Sequence, residues 1–274
     1  MGLVSHDRSL HIMVTNDDGV DSPGLMALAA ALRSVGSVTV LAPDHNWSAA
    51  GHNKTMHKPL RVASVRLADG TPALASSGTP SDCVALAVLG VVEAPIDLVV
   101  SGINVGANLG QDITYSGTVA GAIEATISGL PALAVSLNSY DPTADFGPAA
   151  RVAAAITAAL PGAGMAPGVL LNVNVPALPA GELAGTCWTK LGRRVYRDRL
   201  LRREDPLGRP YYWIGGDPPG GEPDPDTDIW AVEHGMVSIT PIALDMTAHD
   251  CLEAVQPWQE LLPERVAAAL RSAR

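Results

Sequence analysis

The chain has 274 residues, enough for one sizeable α/β core, and its 47% hydrophobic against 17% charged residues exclude a disordered or fibrous protein. Lys and Arg total 18 against 28 Asp and Glu, so the formal charge is −10, which repels long polyanions and argues against long nucleic acid as a partner. With a single Phe, the core must be built from aliphatic side chains.

That charge does not exclude a small anionic substrate, because a metal ion or a ring of backbone N–H groups supplies local positive potential. Cys83, Cys187 and Cys251 are far apart and form no CxxC pair. They suggest neither a disulfide framework nor a zinc knuckle, and fit a reducing compartment. His6, Asp7 and Arg8 precede only a short apolar strand, and no apolar run reaches bilayer-spanning length. The expectation is a cytoplasmic protein without a membrane partner.

Taken in chain order, Leu10 to Thr15 reads as a first strand, and Pro23 to Arg33 carries apolar residues at helical spacing after a Pro-Gly start. Val38 to Ala42 makes a second strand, followed by a polar loop from Pro43 to about Lys58 and an extended stretch around Leu60 to Leu67. Pro80 to Val92 reads as a helix, Asp97 to Ser101 as a buried strand and Gly102 to Tyr115 as a Gly/Asn-rich loop. Gly117 to Ser128 is helical, Pro131 to Leu137 a strand, residues 146 to 160 an Ala-rich helix and Val169 to Val175 a strand. This alternation predicts a three-layer α/β/α Rossmann-like sandwich around a mostly parallel sheet.

From about Gly185 the composition changes. Charges cluster from Arg193 to Arg209, and Pro206 to Pro225 is dense in Pro, Gly and Asp. The expected organisation is a catalytic core over residues 10–185 and an extension over 186–274. That extension reads as a β-hairpin or loop-rich arm and a terminal helix, Pro257 to Arg274, used in oligomerisation.

In open parallel sheets ligands bind beyond the carboxyl ends of the strands, so polar residues just after strands are the candidates. Asn16-Asp17-Asp18-Gly19 places two adjacent carboxylates after a buried strand. A hard divalent cation would relieve their repulsion, although Asp-Gly is also an ordinary turn signal. The loop after the second strand offers Ser48 as a neutral oxygen ligand, or merely as a solvated loop residue. After the buried strand at 97–101, Asn104 and Asn108 supply neutral amides that bind a metal or a phosphoryl oxygen without adding charge. Ser116, Gly117 and Thr118 begin a helix, a place that takes phosphate, or where Ser116 simply caps the helix. No GxGxxG, P-loop, GxSxG or HExxH signature occurs.

The motifs together resemble the survival protein SurE family of stationary-phase 5′/3′-nucleotidases. The matching stretches are Val14 to Gly19 with Pro23-Gly24, Ala42 to Asp44 through Ser48, Gly78 to Pro80 with Asp82 to Val84, and Ser101 to Asn104 with Gly106 and Asn108. Tyr115 to Val119, Leu171 to Pro176, Tyr212 to Gly216, Thr227-Asp228 and Ser238 to Pro241 extend the likeness to about residue 250. The resemblance implies Asp17, Asp18, Ser48 and Asn104 as ligands of one Mn²⁺ or Mg²⁺ per subunit, and Asn108, Ser116, Gly117 and Thr118 around the phosphate. It also implies a homodimer that exchanges C-terminal arms, or a tetramer formed by pairing such dimers. Two features depart from the family pattern. Ala49-Ala50-Gly51 follows Ser48 where a Gly usually comes at once, and Asp21 adds an acid before Pro23.

The expected reaction is hydrolysis of nucleoside 5′-monophosphates, and of 3′-monophosphates in the family, with Asp17 or Asp18 positioning or deprotonating the attacking water. Nucleophilic attack by Asp17, through an aspartyl phosphate, is the second mechanism. From a different class, a nucleotide or phosphate sensor without turnover competes; two acids beside a phosphate count against it.

Overall fold

The computed structural model describes residues 9–222, 224–251 and 254–272. The described residues up to Leu244 form one compact unit and those from Asp245 to Ser272 a second. In chain order the first unit contains β1 (Leu10–Thr15), α1 (Pro23–Leu32), β2 (Gly36–Pro43), β3 (Val62–Arg66), β4 (Pro72–Ser76), α2 (Pro80–Leu86), β5 (Leu98–Val105) and α3 (Gly117–Ile127). It continues with β6 (Ala132–Asn138), α4 (Gly147–Ala163), β7 (Val169–Pro176), β8 (Thr186–Trp188), β9 (Arg194–Glu204), β10 (Pro210–Gly221), α5 (Asp228–Glu233) and β11 (Val237–Ala243). The second unit contains α6 (Gln256–Ser272).

Nine strands form the main sheet in the order β3-β4-β2-β1-β5-β6-β7-β11-β8. The run from β4 to β7 is parallel throughout, while β3 and β11 join antiparallel to their inner neighbours. This is the α/β sandwich the alternation predicts. Because strand side chains alternate between faces, each central strand feeds two cores. Ile12, Val14, Val100, Val135 and Val173 pack with α1 and α4 on one face. Met13, Val99, Ala134 and Leu170 pack with Val84 of α2 and Val119, Ala122 and Ala125 of α3 on the other.

That second face changes character toward the carboxyl ends of the strands. Thr15 pairs with Ser101, Asn104 with Ser136, and Ser136 with Asn174 across successive strands, so a row of polar residues runs under the start of α3. The chain leaves β1 for β2 on one side and returns to β5 on the other. The crevice between β1 and β5 is therefore the switch point at which open α/β sheets bind ligands.

Three segments depart from the sequence expectations. The strand expected to stop at Ser101 runs on to Val105, where β6 supplies partners for Asn104 and Val105. The helix expected to reach Val92 is regular only to Leu86, then widens over Ala87–Val91 around Gly90 at φ +113°. Residues beyond 185 also contribute β8 and β11 to the main sheet. The charged stretch supplies β9 and the Pro/Gly-rich stretch β10 of a hairpin that pairs outside that sheet and leaves most of its residues exposed.

Candidate active site

Loops following β1, β2 and β5, together with the start of α3, meet at the switch point. They enclose a cleft of about 280 Å³ lined by Asp17, Ser48, Asn104, Asn108 and Ser116 among others. A larger hollow of about 500 Å³ lies along β2, β3 and β4, but Arg66 is the one charged residue lining it, and none of the predicted site residues borders it.

Asp17 is buried, and the Thr118 hydroxyl donates to its Oδ1. Burial raises its pKa, opposed by that hydroxyl and by the backbone N–H groups of Thr118 and Gly117. The free donors at the start of α3 are thus turned on a carboxylate of the chain itself. Gly117 is required for this approach, since a Cβ there would lie 2.7 Å from Asp17 Cβ and 2.8 Å from Oδ2. Ser116 caps the helix, its hydroxyl oxygen accepting from the Val119 N–H at 3.0 Å.

Asp18 accepts from the Val105 N–H at 3.2 Å and from Asn46 Nδ2 at 3.4 Å. Its pKa is pushed up to about 6, first by burial and then by the charge of Asp17. Among the described residues neither acid forms an ion pair with a Lys, Arg or His. Asn104 Nδ2 donates to the Gly106 carbonyl at 2.7 Å, which leaves Oδ1 as the atom this amide can offer as an acceptor. Asn108 sits on a buried lattice: its N–H donates to Asn174 Oδ1 at 2.8 Å, its Nδ2 to Ser136 Oγ at 2.8 Å, and its carbonyl accepts from Asn172 and Asn174.

The structure therefore brings Asp17, Ser48, Asn104, Asn108 and Ser116 to one cleft, while Asp18, Gly117 and Thr118 are not among the residues that line it. Among the described residues no group of three His, Cys, Asp or Glu side chains gathers to hold a metal. A cation here must draw on the neutral Ser and Asn oxygens as well as the two acids. His45 pairs with Asp44 and lies against the Trp47 ring with centroids 4.8 Å apart; it does not line the cleft.

Sequence reasoning gave no role to several residues that build this site. Asn172 and Asn174 are the hydrogen-bonding base for Asn108, and two Asn in an otherwise apolar strand were the available signal. Asp228 is fully buried and accepts from the Gly110 N–H at 2.8 Å and the Gly192 N–H at 2.7 Å, tying the loop after β5 to the foot of the hairpin. Burial raises its pKa against those same amide donors. Arg194 Nε contacts Asp112 Oδ2 at 2.6 Å and the Tyr196 hydroxyl donates to Asp112 Oδ1 at 2.8 Å, so the hairpin base braces a residue of the cleft wall.

Fold and site define an α/β protein with an acid-and-amide cleft at the switch point of a parallel sheet. The family described as survival protein SurE matches residues 12–198. A 5′-nucleotidase SurE of Herpetosiphon aurantiacus is 52% identical over 89% of this chain and 96% of its own length. One of Chloroflexus aggregans is 50% identical over 91% and 99%. The crystal structure of the SurE protein from Aquifex aeolicus superposes with a TM-score of 0.80 at 40% identity, covering 91% of this chain and 99% of that one. The chain belongs to the SurE family.

Proposed function

We propose that the chain is a divalent-metal-dependent phosphomonoesterase that hydrolyses nucleoside 5′-monophosphates, and 3′-monophosphates at the same site, to nucleoside and phosphate. The observation that carries the reading is the convergence of Asp17, Ser48, Asn104 and Asn108 on one cleft. The relatives named 5′-nucleotidase, at 52% and 50% identity over most of the chain, support it.

Asp17, Asp18, Ser48 and Asn104 are assigned to one Mn²⁺ or Mg²⁺ per subunit. The donor set fits such an ion: it is oxygen only, its two acids lack a cationic partner among the described residues, and the Asn104 amide presents Oδ1. When bound, the ion supplies acidification of water and neutralisation of negative charge. The chain supplies the rest. Asp17, fixed by Thr118 at the helix start, orients and deprotonates the attacking water together with Asp18. Asn108 has a second Nδ2 proton beyond the one given to Ser136, and directs it at a phosphoryl oxygen. The Ser116 hydroxyl proton completes the phosphate surround, while the Gly117 and Thr118 amides expected there act one step back, holding the Asp17 carboxylate. These donors are fixed by buried partners, so they reorganise little during reaction.

The extension after residue 185 is assigned to self-association, as a homodimer through arm exchange and a tetramer by pairing of dimers. Exposed Leu200, Leu201, Trp213 and Ile214 on the hairpin support this assignment. No helix among the described residues is long and apolar enough to cross a membrane. Three unpaired cysteines agree with the cytoplasm as the working compartment.

The test is phosphate release from a panel of 5′ and 3′ nucleoside monophosphates with Mn²⁺, Mg²⁺ or EDTA. Release should require metal, and Asp17→Asn and Asn104→Ala should each lower it by about 10²-fold or more. A wild-type protein that binds nucleotide but releases no phosphate with any metal would overturn the enzyme in favour of a sensor.

A further inference from the structure

We infer that Tyr115 and Tyr140 form a nucleobase platform at the rim of the cleft, a subsite that rests on the nucleotidase reading above. Aromatic residues make up 4% of the chain and Tyr only five positions, yet two of the five border this cleft. Tyr115 is 62% exposed and Tyr140 69% exposed. Rings left in water forgo the burial that normally holds them, and two on one rim offer π faces to a ligand.

Neither ring hangs on a loose segment. The Tyr115 N–H donates to the Asp112 carbonyl at 3.0 Å, and its own carbonyl accepts from the Gly51 N–H at 2.9 Å, so the backbone is tied on both sides. Tyr140 lies against Gly106, where a Cβ would come within 3.2 Å of the ring Cε1. Gly106 sits at φ +102° and itself lines the cleft, so the ring rests directly on the cleft's own backbone.

The lining also divides by chemistry. Asp17, Asn108 and Ser116 are buried polar groups, whereas the tyrosines are exposed, and Val105, Ala107 and Pro219 add apolar surface. A ligand with a compact charged head and a flat π-rich tail matches that division. Every nucleobase has such a face, so stacking supplies affinity without strong choice among bases.

The experiment compares AMP with ribose 5-phosphate, which keeps the phosphate and sugar but lacks the base. Steady-state kinetics with Mn²⁺ on wild type, Tyr115→Leu, Tyr140→Leu and the two Tyr→Phe variants is run beside calorimetry with a non-hydrolysable phosphonate analogue of AMP. Each Leu variant should raise the AMP KM and the analogue Kd about ten-fold, with kcat nearly unchanged. Ribose 5-phosphate should respond to neither variant, and Phe should restore AMP binding. Equal losses on both substrates, or no loss on AMP, would overturn the platform, as would wild type using the two substrates equally well. Absence of phosphate release strikes the nucleotidase reading alone, because the analogue's Kd still reports on the platform.

Discussion

The loop that carries Asp17 and the loop that carries Ser48 border the same cleft but are held in opposite ways. Asp17 is 3% exposed, with its carboxylate fixed by Thr118 and its loop closed by the Asn16–Gly19 hydrogen bonds at 3.0 and 3.2 Å. Ser48 is exposed, on a tip suspended between two backbone bonds, Trp47 N–H to the Asp17 carbonyl and Gly51 N–H to the Tyr115 carbonyl. Farther along, that loop is anchored by Lys54 and His52 on the buried Glu124, at 2.6 and 3.0 Å, and by the Thr55 N–H on Asp82 at 2.8 Å. The charged group is set in the core; the neutral hydroxyl is carried on a tethered arc. The rigid half should therefore be intolerant of a single methyl group, and the arc tolerant of one.

Gly117→Ala breaks the rigid half most directly. The added Cβ would lie 2.7 Å from Asp17 Cβ, so the carboxylate has to move while the start of α3 stays capped by Ser116. A displacement approaching an ångström costs about 10²-fold in rate. The expected result is a fall of that order in kcat for AMP with the circular dichroism spectrum retained. Full activity would show that Asp17 has room the packing does not reveal.

Asp18 gives a smaller, pH-dependent effect. Its folded pKa of about 6 lies above the ordinary 3.8, so between those values the folded state holds a proton that the unfolded chain has released. The contribution of Asp18 to stability in EDTA must then be greatest below about pH 4, fall as pH rises through about 6, and level off above it. Thermal melts of wild type and Asp18→Asn from pH 4 to 8 should diverge by a few degrees as pH rises through about 6, the variant lacking the Asp18 share of the decline. Added Mn²⁺ should recover most of that loss above pH 6, where Asp18 is ionised for binding. Parallel curves for the two proteins would overturn the raised Asp18 pKa, and with it both the burial and the Asp17 repulsion as its causes.

The same contrast explains what was legible in the sequence. Strands such as Leu10–Thr15 and helices such as Gly117–Ile127 announce themselves by apolar spacing, and the Asp17-Asp18 pair by its place after a buried strand. β4, Pro72–Ser76, is small residues between turns and carries no β-branched signal. β11 contains Pro241, which weakens a strand reading although the Pro falls where β7 alone is paired with it. The roles of Asn174 and Asp228 depend on partners 66 and 118 residues away in the chain, which no local pattern encodes. Nor did local pattern reveal that the α3 amides are turned on Asp17, because cap chemistry fixes where donors are free and tertiary contact fixes what they meet.

The smallest effect belongs to the arc. The Ala50 N–H donates to the Trp47 carbonyl at 3.1 Å, closing a turn with Ser48 and Ala49 at its centre, and Ala49 stands at φ +59°. An L residue in the left-handed region gives up roughly 1 kcal/mol relative to glycine, partly offset by the greater freedom of glycine in the unfolded chain. Ala49→Gly should therefore raise the unfolding free energy by up to about 1 kcal/mol, read as a higher denaturation midpoint at an unchanged slope, and leave the metal requirement and the AMP KM as they are. Such a result would mean that the turn alone places Ser48, with Ala49 a tolerated strain in an exposed arc. A lower midpoint or a changed KM would mean instead that the Ala49 methyl, which borders the cleft, makes contacts worth more than the strain it carries.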